Sequence, residues 1–209
     1  MENSNLVLKL RTNQNVSRWF VGFIFLFNIY AMLDLLFFNE SFLKTLQRFR
    51  MFTNISNIII FVVVGLFLLG KKDKKWFKYL SVIGLVAILM TGIIYHALLR
   101  EPNMDFQNHT VHTINPIFYA LFYYLLIDKP IKLYHFWVSL ILPILYFGII
   151  LLLGPWTNWY PYGFMNPTLE GQSLQSVLIF CLVLLLPVIS IFTFGLLSLK
   201  VYLEKVINK

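Results

Sequence analysis

Two histidines, His109 and His112, lie three residues apart in the segment NHTVHTINP (108–116), at the start of a stretch that is otherwise Ile, Phe, Tyr, Ala and Leu. Residues three apart share one face of a helix. Imidazole changes its charge near neutral pH, so a histidine serves well as a proton acceptor or as a metal ligand. The pair therefore indicates acid–base or metal chemistry at the start of an apolar helix.

The first interpretation pairs a histidine base with a threonine nucleophile. A threonine hydroxyl is a weak nucleophile until a neutral imidazole accepts its proton, and a third group commonly orients that imidazole. Thr53 in FTNISN is the candidate nucleophile and His112 is its base. Asp34, the only acid within a predicted membrane span, and Asn115, on the His112 face, are the candidate orienting groups. The candidate donors to an oxyanion are Asn54, Asn57 and Tyr95.

The second interpretation is a zinc site. Three nitrogens and one oxygen form a ligand set that zinc accepts, and His96, His109, His112 and Asp34 could supply them. A zinc-bound water would then attack a lipid amide or ester. The spacing of the histidines is compatible with this site, but the sequence contains no HExxH motif.

Two further interpretations need no catalysis. Polar side chains inside a membrane hydrogen-bond helices to one another, at about 0.6–2 kcal/mol per contact. Asn54 and Ser56 are typical of that structural role. The chain is alternatively a carrier or binding protein for a hydrophobic ligand, with helices interrupted by Pro143 and Pro187. No inverted repeat is visible in the sequence, and the second to sixth predicted spans contain no acid.

The elements that carry these residues are membrane spans. The chain has 209 residues, of which 59% are hydrophobic and 12% charged, and its mean hydropathy is +0.75. A soluble domain of this length could not bury so much apolar surface, so lipid is the solvent. The apolar tracts predict an all-α, polytopic membrane protein. It forms one six-helix transmembrane domain over residues 1–209, with spans at 19–38, 52–70, 77–99, 109–127, 134–153 and 175–203.

The basic residues predict the orientation of these spans. Thirteen of the 17 Lys and Arg residues fall in the N-terminal tail, in 71–78, in 128–133 and at the C-terminal end; four fall in 39–51 and 100–107, and none in 154–174. We therefore expect both termini in the cytoplasm. The net charge of +8 lies in short loops and does not indicate a nucleic-acid partner. In this topology the candidate residues share one depth near the outer face.

The stretch NHTVHT at 108–113 resembles the NHxxHT motif of the androgen-induced and androgen-dependent TFPI-regulating protein family. Phe52-Thr53 is similar to the start of that family's second helix, and Trp159-Tyr160-Pro161 resembles its aromatic-proline loop before the last helix. The order of these segments matches across most of the chain. The family consists of multispan membrane hydrolases that cleave fatty acid esters of hydroxy fatty acids with a threonine and a histidine.

The resemblance implies that Thr53 is the nucleophile, that His112 is its base, and that no metal or other cofactor is needed. The substrate would be a fatty acid ester of a hydroxy fatty acid or a related lipid, and membrane lipids would be the surroundings. Animal members carry an acid three residues after the threonine, where this chain has Ser56. Its short, lysine-rich loops are similar to those of bacterial six-helix relatives, which implies a bacterial plasma membrane. The residues we assign to the candidate substrate site are His96, Asn108, His109, Trp159 and Tyr160.

Reporter fusions test this topology. We expect a fusion at Lys72 to report the cytoplasm and a fusion at Asn166 to report the opposite side, because the basic segment 71–78 stays inside. Alkaline phosphatase and a fluorescent protein, fused in turn at each position, give opposite readouts for the two sides. If both positions report the cytoplasm, the candidate residues do not share one membrane depth.

Overall fold

The computed structural model describes residues 2–37, 41–99, 102–128 and 130–208. These residues form helices joined by turns and loops, with no β-strand among them. A helix satisfies its own backbone hydrogen bonds, as a segment inside a bilayer must. The all-α fold class is therefore confirmed. The last residue of the first predicted span, Phe38, lies outside the described residues.

The described ranges contain eight helical segments of eight or more residues. They are α1 (Glu2–Thr12), α2 (Gln14–Phe37), α3 (Phe42–Phe49), α4 (Phe52–Leu68), α5 (Lys75–Leu99), α6 (106–126), α7 (Leu133–Thr157) and α8 (Leu174–Ile207). Four of them, α2, α5, α7 and α8, are long and apolar enough to cross a membrane. The pair α3 and α4, bent by 75° at its junction, is a fifth if it is taken as one span. These helices are compatible with an integral, multi-pass membrane protein.

Two helices lie outside the spans that the sequence predicts. Helix α1 forms in the polar N-terminal tail, and α3 forms in the segment 39–51. The first turn of α3 is capped by the Ser41 side chain, which accepts a hydrogen bond from the Lys44 N–H at 3.3 Å. Phe42 and Leu43 are exposed on this short, charged helix. Such an amphipathic pattern is typical of a helix that lies in the membrane interface.

Irregular helical turns precede three prolines. A proline has no N–H to close the helical turn before it, so the preceding residues take another hydrogen-bond pattern. The three cases are π-helical Thr110–Ile114 before Pro116, 3₁₀-helical Leu133–Leu140 before Pro143 and π-helical Phe180–Leu185 before Pro187. At Pro143 and Pro187, where the sequence predicts an interruption, the helix therefore changes its type.

Helix α6 occupies the centre of the bundle. Its Tyr119, Phe122 and Tyr123 are completely buried. A Cβ atom on Gly84 of α5 would lie 2.7 Å from the Tyr119 hydroxyl, so glycine is needed for the two helices to approach this closely. That hydroxyl donates to the Ser81 carbonyl at 3.1 Å. Because other helices surround α6, it can carry polar side chains that a lipid-facing helix could not.

A buried ion cluster holds one end of the bundle. Arg11 donates two hydrogen bonds to the Glu204 carboxylate, at 2.7 and 2.8 Å, and Lys200 Nζ donates to the same carboxylate at 2.6 Å. Arg11 Nε also donates to the Leu125 carbonyl at 2.7 Å, and Lys200 Nζ to the Tyr124 carbonyl at 2.8 Å. The cluster therefore ties α1 and α8 to the end of α6.

Removing the shared carboxylate tests how much stability this cluster contributes. We expect Glu204→Gln to lower the free energy of unfolding by about 3 kcal/mol, because it leaves two buried cations without their counter-charge. Thermal unfolding of the purified protein in detergent measures the change. The control is Glu170→Gln, at an exposed carboxylate in the loop before α8. Equal stability of the two variants would contradict this role of the cluster.

Candidate functional site

The end of the bundle opposite the ion cluster contains a cavity of about 590 Å³, counting its open mouth. Thr53, at the start of α4, lines this cavity, whereas Phe67, at the end of the same helix, lines a pocket beside Arg11. Most of the lining side chains are apolar. We call this space the Thr53 cavity, and its polar lining residues are Thr53, Thr91, Tyr95, His112, Ser139, Tyr146 and Tyr162.

Two tyrosines hold Thr53 at the N-terminus of α4. Met51, which precedes the helix, makes no side-chain hydrogen bond to its first turn. Instead, the Tyr146 hydroxyl accepts a hydrogen bond from the Phe52 N–H at 3.1 Å, and the Tyr162 hydroxyl accepts one from the Thr53 N–H at 3.4 Å. These bonds replace the usual cap. They also hold the loop that carries Tyr162 against the start of α4.

The hydroxyl groups of Thr53 and Tyr162 face each other, with Thr53 Oγ1 3.5 Å from Tyr162 Oη. Burial raises the pKa of Tyr162, while its hydrogen bonds with Thr53 act in the opposite direction. The phenol therefore stays protonated at neutral pH and remains a hydrogen-bond donor. A distance of 3.5 Å is long for a hydrogen bond between hydroxyls, so the Thr53 hydroxyl is free to turn toward a better acceptor.

His112 lies buried in the cavity wall with an unpaired ring nitrogen. It is in the π-helical turn of α6 and is 8% exposed. Its ring stacks on Tyr95, with ring centroids 3.7 Å apart and planes inclined by 12°. The His112 Nδ1 atom and the Tyr95 hydroxyl are both buried without a hydrogen-bond partner. A buried unpaired polar atom costs about 1–3 kcal/mol, so it calls for an explanation such as a ligand that completes the site.

Thr53 and His112 lie in the wall of one cavity, but they are not hydrogen-bonded to each other. The Thr53 hydroxyl has Tyr162 as its partner, and His112 Nδ1 has none. Proton transfer needs heavy atoms about 2.6–3.2 Å apart, and such pairs are often looser before substrate binds. The pair therefore has to rearrange before a proton passes directly between the two groups.

Three of the candidate asparagines hold helices together instead of facing the cavity. Asn28, which the sequence analysis did not select, donates to Asn115 Oδ1 at 3.0 Å, and Asn115 donates to Asn57 Oδ1 at 2.7 Å. Asn57 in turn donates to the Thr53 carbonyl at 2.8 Å. Asn54 donates to a backbone carbonyl at the end of α3 at 2.8 Å. These contacts match the structural role that polar side chains have inside membranes.

Asp34 and Asn115 are both engaged away from His112. The Asp34 carboxylate forms an ion pair with Arg48 of α3, and its backbone carbonyl accepts a hydrogen bond from the same guanidinium at 3.4 Å. Asn115 bonds with Asn28 and Asn57. A guanidinium is a stronger partner for a carboxylate than a neutral imidazole is. The contacts of His112 therefore lend no support to either group as its orienting partner.

The residues considered for zinc do not point at one common position. His96 Nε2 lies 2.9 Å from Thr113 Oγ1 on the protein surface, and His109 is exposed. Asn108 donates its backbone N–H to the Asp105 side chain at 2.7 Å, which caps the start of α6. Within the described ranges, no group of three or more His, Cys, Asp or Glu could hold a metal ion. The structure thus does not assemble the ligand set that the sequence suggests.

The loop between α7 and α8 contributes Tyr162 to the cavity lining. Trp159 and Tyr160, the two loop residues selected from the sequence, do not line the cavity. Tyr160 packs on Gly154, where a Cβ atom would lie 2.1 Å from its ring. The Trp159 ring lies under the Arg50 guanidinium, 5.9 Å from its centroid. Sequence reasoning also missed Tyr146. Its one available signal was that a tyrosine stands alone inside the apolar segment 136–153.

Comparisons of the chain with family models, with curated proteins and with solved structures found no match. The interpretation of the Thr53 cavity accordingly depends on its geometry and on the resemblance of its motifs.

A substitution of Asn115 tests the asparagine chain. We expect Asn115→Leu to lower the free energy of unfolding by about 1–2 kcal/mol, because it leaves the Asn28 amide and Asn57 Oδ1 unpaired in the bundle. Asn108→Ala is the control, since its backbone and not its side chain receives the Asp105 cap. Thermal unfolding in detergent measures both variants. An Asn115→Leu protein as stable as the wild type would show that the chain contributes nothing to the fold.

Proposed function

We propose that the protein is a membrane-embedded lipid ester hydrolase in which Thr53 is the nucleophile and His112 the base. The observation that carries this proposal is the unpaired, buried Nδ1 of His112 in the same apolar cavity as the Thr53 hydroxyl. Apolar walls suit the acyl chain of an amphiphile. The NHTVHT and Phe52-Thr53 resemblance assigns the same two residues to the reaction.

The first half of the reaction forms an acyl-threonine. His112 accepts the proton of the Thr53 hydroxyl as Oγ1 attacks the ester carbonyl carbon. The carbonyl electrons move to oxygen, and they return when the bond to the leaving alcohol breaks. The imidazolium then gives its proton to the departing oxygen. The products of this half are the free alcohol, the acyl ester of Thr53 and a neutral His112.

The second half returns the enzyme to its starting state. His112 accepts a proton from a water molecule that attacks the acyl-threonine carbonyl. The tetrahedral intermediate collapses, the bond to Thr53 Oγ1 breaks, and the imidazolium returns the proton to that oxygen. One water is consumed, and one fatty acid is released.

Two tyrosine hydroxyls are the proposed donors to the developing oxyanion. The Tyr95 hydroxyl is buried without a partner, and its ring stacks on the His112 imidazole. The Tyr162 hydroxyl already lies 3.5 Å from Thr53 Oγ1. Preorganised donors in a site that excludes water stabilise the charge at little reorganisation cost.

We also propose six membrane spans, with both termini in the cytoplasm. Support comes from the contacts at the two ends of the bundle. Helix α6 begins beside the Thr53 cavity and ends beside Arg11, so it runs from one end of the bundle to the other. The α1 and α8 contacts through Arg11 and Glu204 put the two ends of the chain together. The distribution of Lys and Arg assigns that end to the cytoplasm.

A binding protein or carrier for a hydrophobic ligand is the second candidate function. The observation in its favour is that the Thr53 hydroxyl bonds with Tyr162 and not with the base. A mostly apolar cavity holds a hydrophobic ligand without any reaction. This candidate predicts saturable binding that survives Thr53→Ala, whereas the hydrolase loses its activity in that variant.

A fluorophosphonate probe tests the proposed nucleophile directly. We expect the wild-type protein in membranes to be labelled and Thr53→Ala to be unlabelled. In His112→Ala the labelling rate should fall about 10²–10⁴-fold, because the hydroxyl loses its proton acceptor. Mass spectrometry of the labelled peptide identifies the modified residue.

Matched controls separate chemistry from folding. Thr45→Ala and His135→Ala change the same residue types outside the Thr53 cavity, and both should be labelled like the wild type. Thermal unfolding of each purified variant shows which proteins remain folded. A folded Thr53→Ala protein that hydrolyses lipid esters at the wild-type rate would exclude Thr53 as the nucleophile.

A further inference from the structure

An apolar groove runs along the side of the bundle between the start of α4 and α7. It encloses about 810 Å³, counting its open side. Helix α7 contributes Leu142, Leu145 and Leu153, and Ile55 of α4 faces them. Leu145 and Leu153 are exposed. The groove therefore opens sideways, toward the lipid that surrounds a membrane protein.

Arg50 provides the one charged group among the described residues that line the groove. Its guanidinium lies 5.9 Å from the centre of the Trp159 ring, which also lines the groove. No carboxylate of a described residue pairs with Arg50, and Asp34 is paired with Arg48. The guanidinium thus keeps its charge-assisted hydrogen-bonding capacity for a ligand.

The apolar part of the groove is about as long as one leaflet of a bilayer is thick. Its apolar lining residues on α7 run from Leu142 to Leu153, a distance of about 16 Å at 1.5 Å per residue. The hydrocarbon of one leaflet is about 15 Å thick. The apolar part of the groove can therefore hold an acyl chain, with its headgroup at the end that carries Arg50 and Trp159.

We propose that this groove binds an anionic phospholipid, with one acyl chain along α7 and the phosphate at Arg50. A planar guanidinium makes two parallel hydrogen bonds to a phosphate. In a zwitterionic lipid the headgroup's own cation weakens this attraction. Trp159 suits the headgroup level of a membrane. Tyr146 lines both the groove and the Thr53 cavity, so the bound lipid lies beside the candidate site.

Quenching of Trp159 fluorescence by brominated lipids tests the proposal. The other four tryptophans, Trp19, Trp76, Trp137 and Trp156, are exposed and are replaced by Phe. The Thr53→Ala background prevents hydrolysis of the probes. Brominated phosphatidylglycerol or brominated phosphatidylcholine is titrated into unbrominated phosphatidylcholine bilayers. We expect half-maximal quenching at an about fivefold lower mole fraction of the anionic lipid, since one cation near a membrane surface contributes about 1 kcal/mol.

Substitutions at Arg50 test whether the groove causes the preference for the anionic lipid. Arg50→Gln should abolish the preference for phosphatidylglycerol, and Arg50→Lys should retain a preference because it keeps the charge. Lys44→Gln, which removes an exposed cation of α3 outside the groove lining, should leave the preference unchanged. Equal quenching by the two lipids, or a preference that survives Arg50→Gln, would overturn the proposal. Because no hydrolysis is measured, either result leaves the proposed function intact.

Discussion

Three buried asparagines, one each on α2, α4 and α6, determine where the candidate site lies. Inside a bilayer their amides cannot exchange these hydrogen bonds for bonds with water, so the three helices keep one register. Asn57 extends the chain to the carbonyls of Thr53, at 2.8 Å, and of Val111, at 3.4 Å. Val111 precedes His112. One side chain thus fixes the backbone beside both proposed reacting groups.

The same need for a hydrogen-bond partner applies to every other buried polar atom of the bundle. Five buried side-chain atoms of described residues lack a hydrogen-bond partner, and two of them, His112 Nδ1 and the Tyr95 hydroxyl, line the Thr53 cavity. Both belong to the stacked rings in the cavity wall, where a bound polar ligand would supply the missing partners.

The sequence predicted the helical class, because apolar length indicates membrane-spanning helices. It also predicted that Thr53 and His112 share one depth, and both line one cavity without contacting each other. It could not predict the partner of Asp34, since Arg48 lies on the unpredicted helix α3. It also could not choose Tyr162 over Tyr160. Both are tyrosines of one loop, and only the packing of Tyr160 on Gly154 decides which ring reaches Thr53.

The two ends of the bundle are held by interactions of very different strength. At one end, parting the buried carboxylate of Glu204 from its cations would cost about 3–5 kcal/mol. At the other end, the Thr53 N–H donates a neutral hydrogen bond to the Tyr162 hydroxyl at 3.4 Å, and the two hydroxyls lie 3.5 Å apart; such bonds contribute about 1 kcal/mol each. A substrate carbonyl that accepts from the Tyr162 hydroxyl would compensate for those bonds and release Thr53 toward His112. The movement that the proposed reaction needs therefore falls at the weaker end, and the ion cluster keeps the helices in place while it occurs.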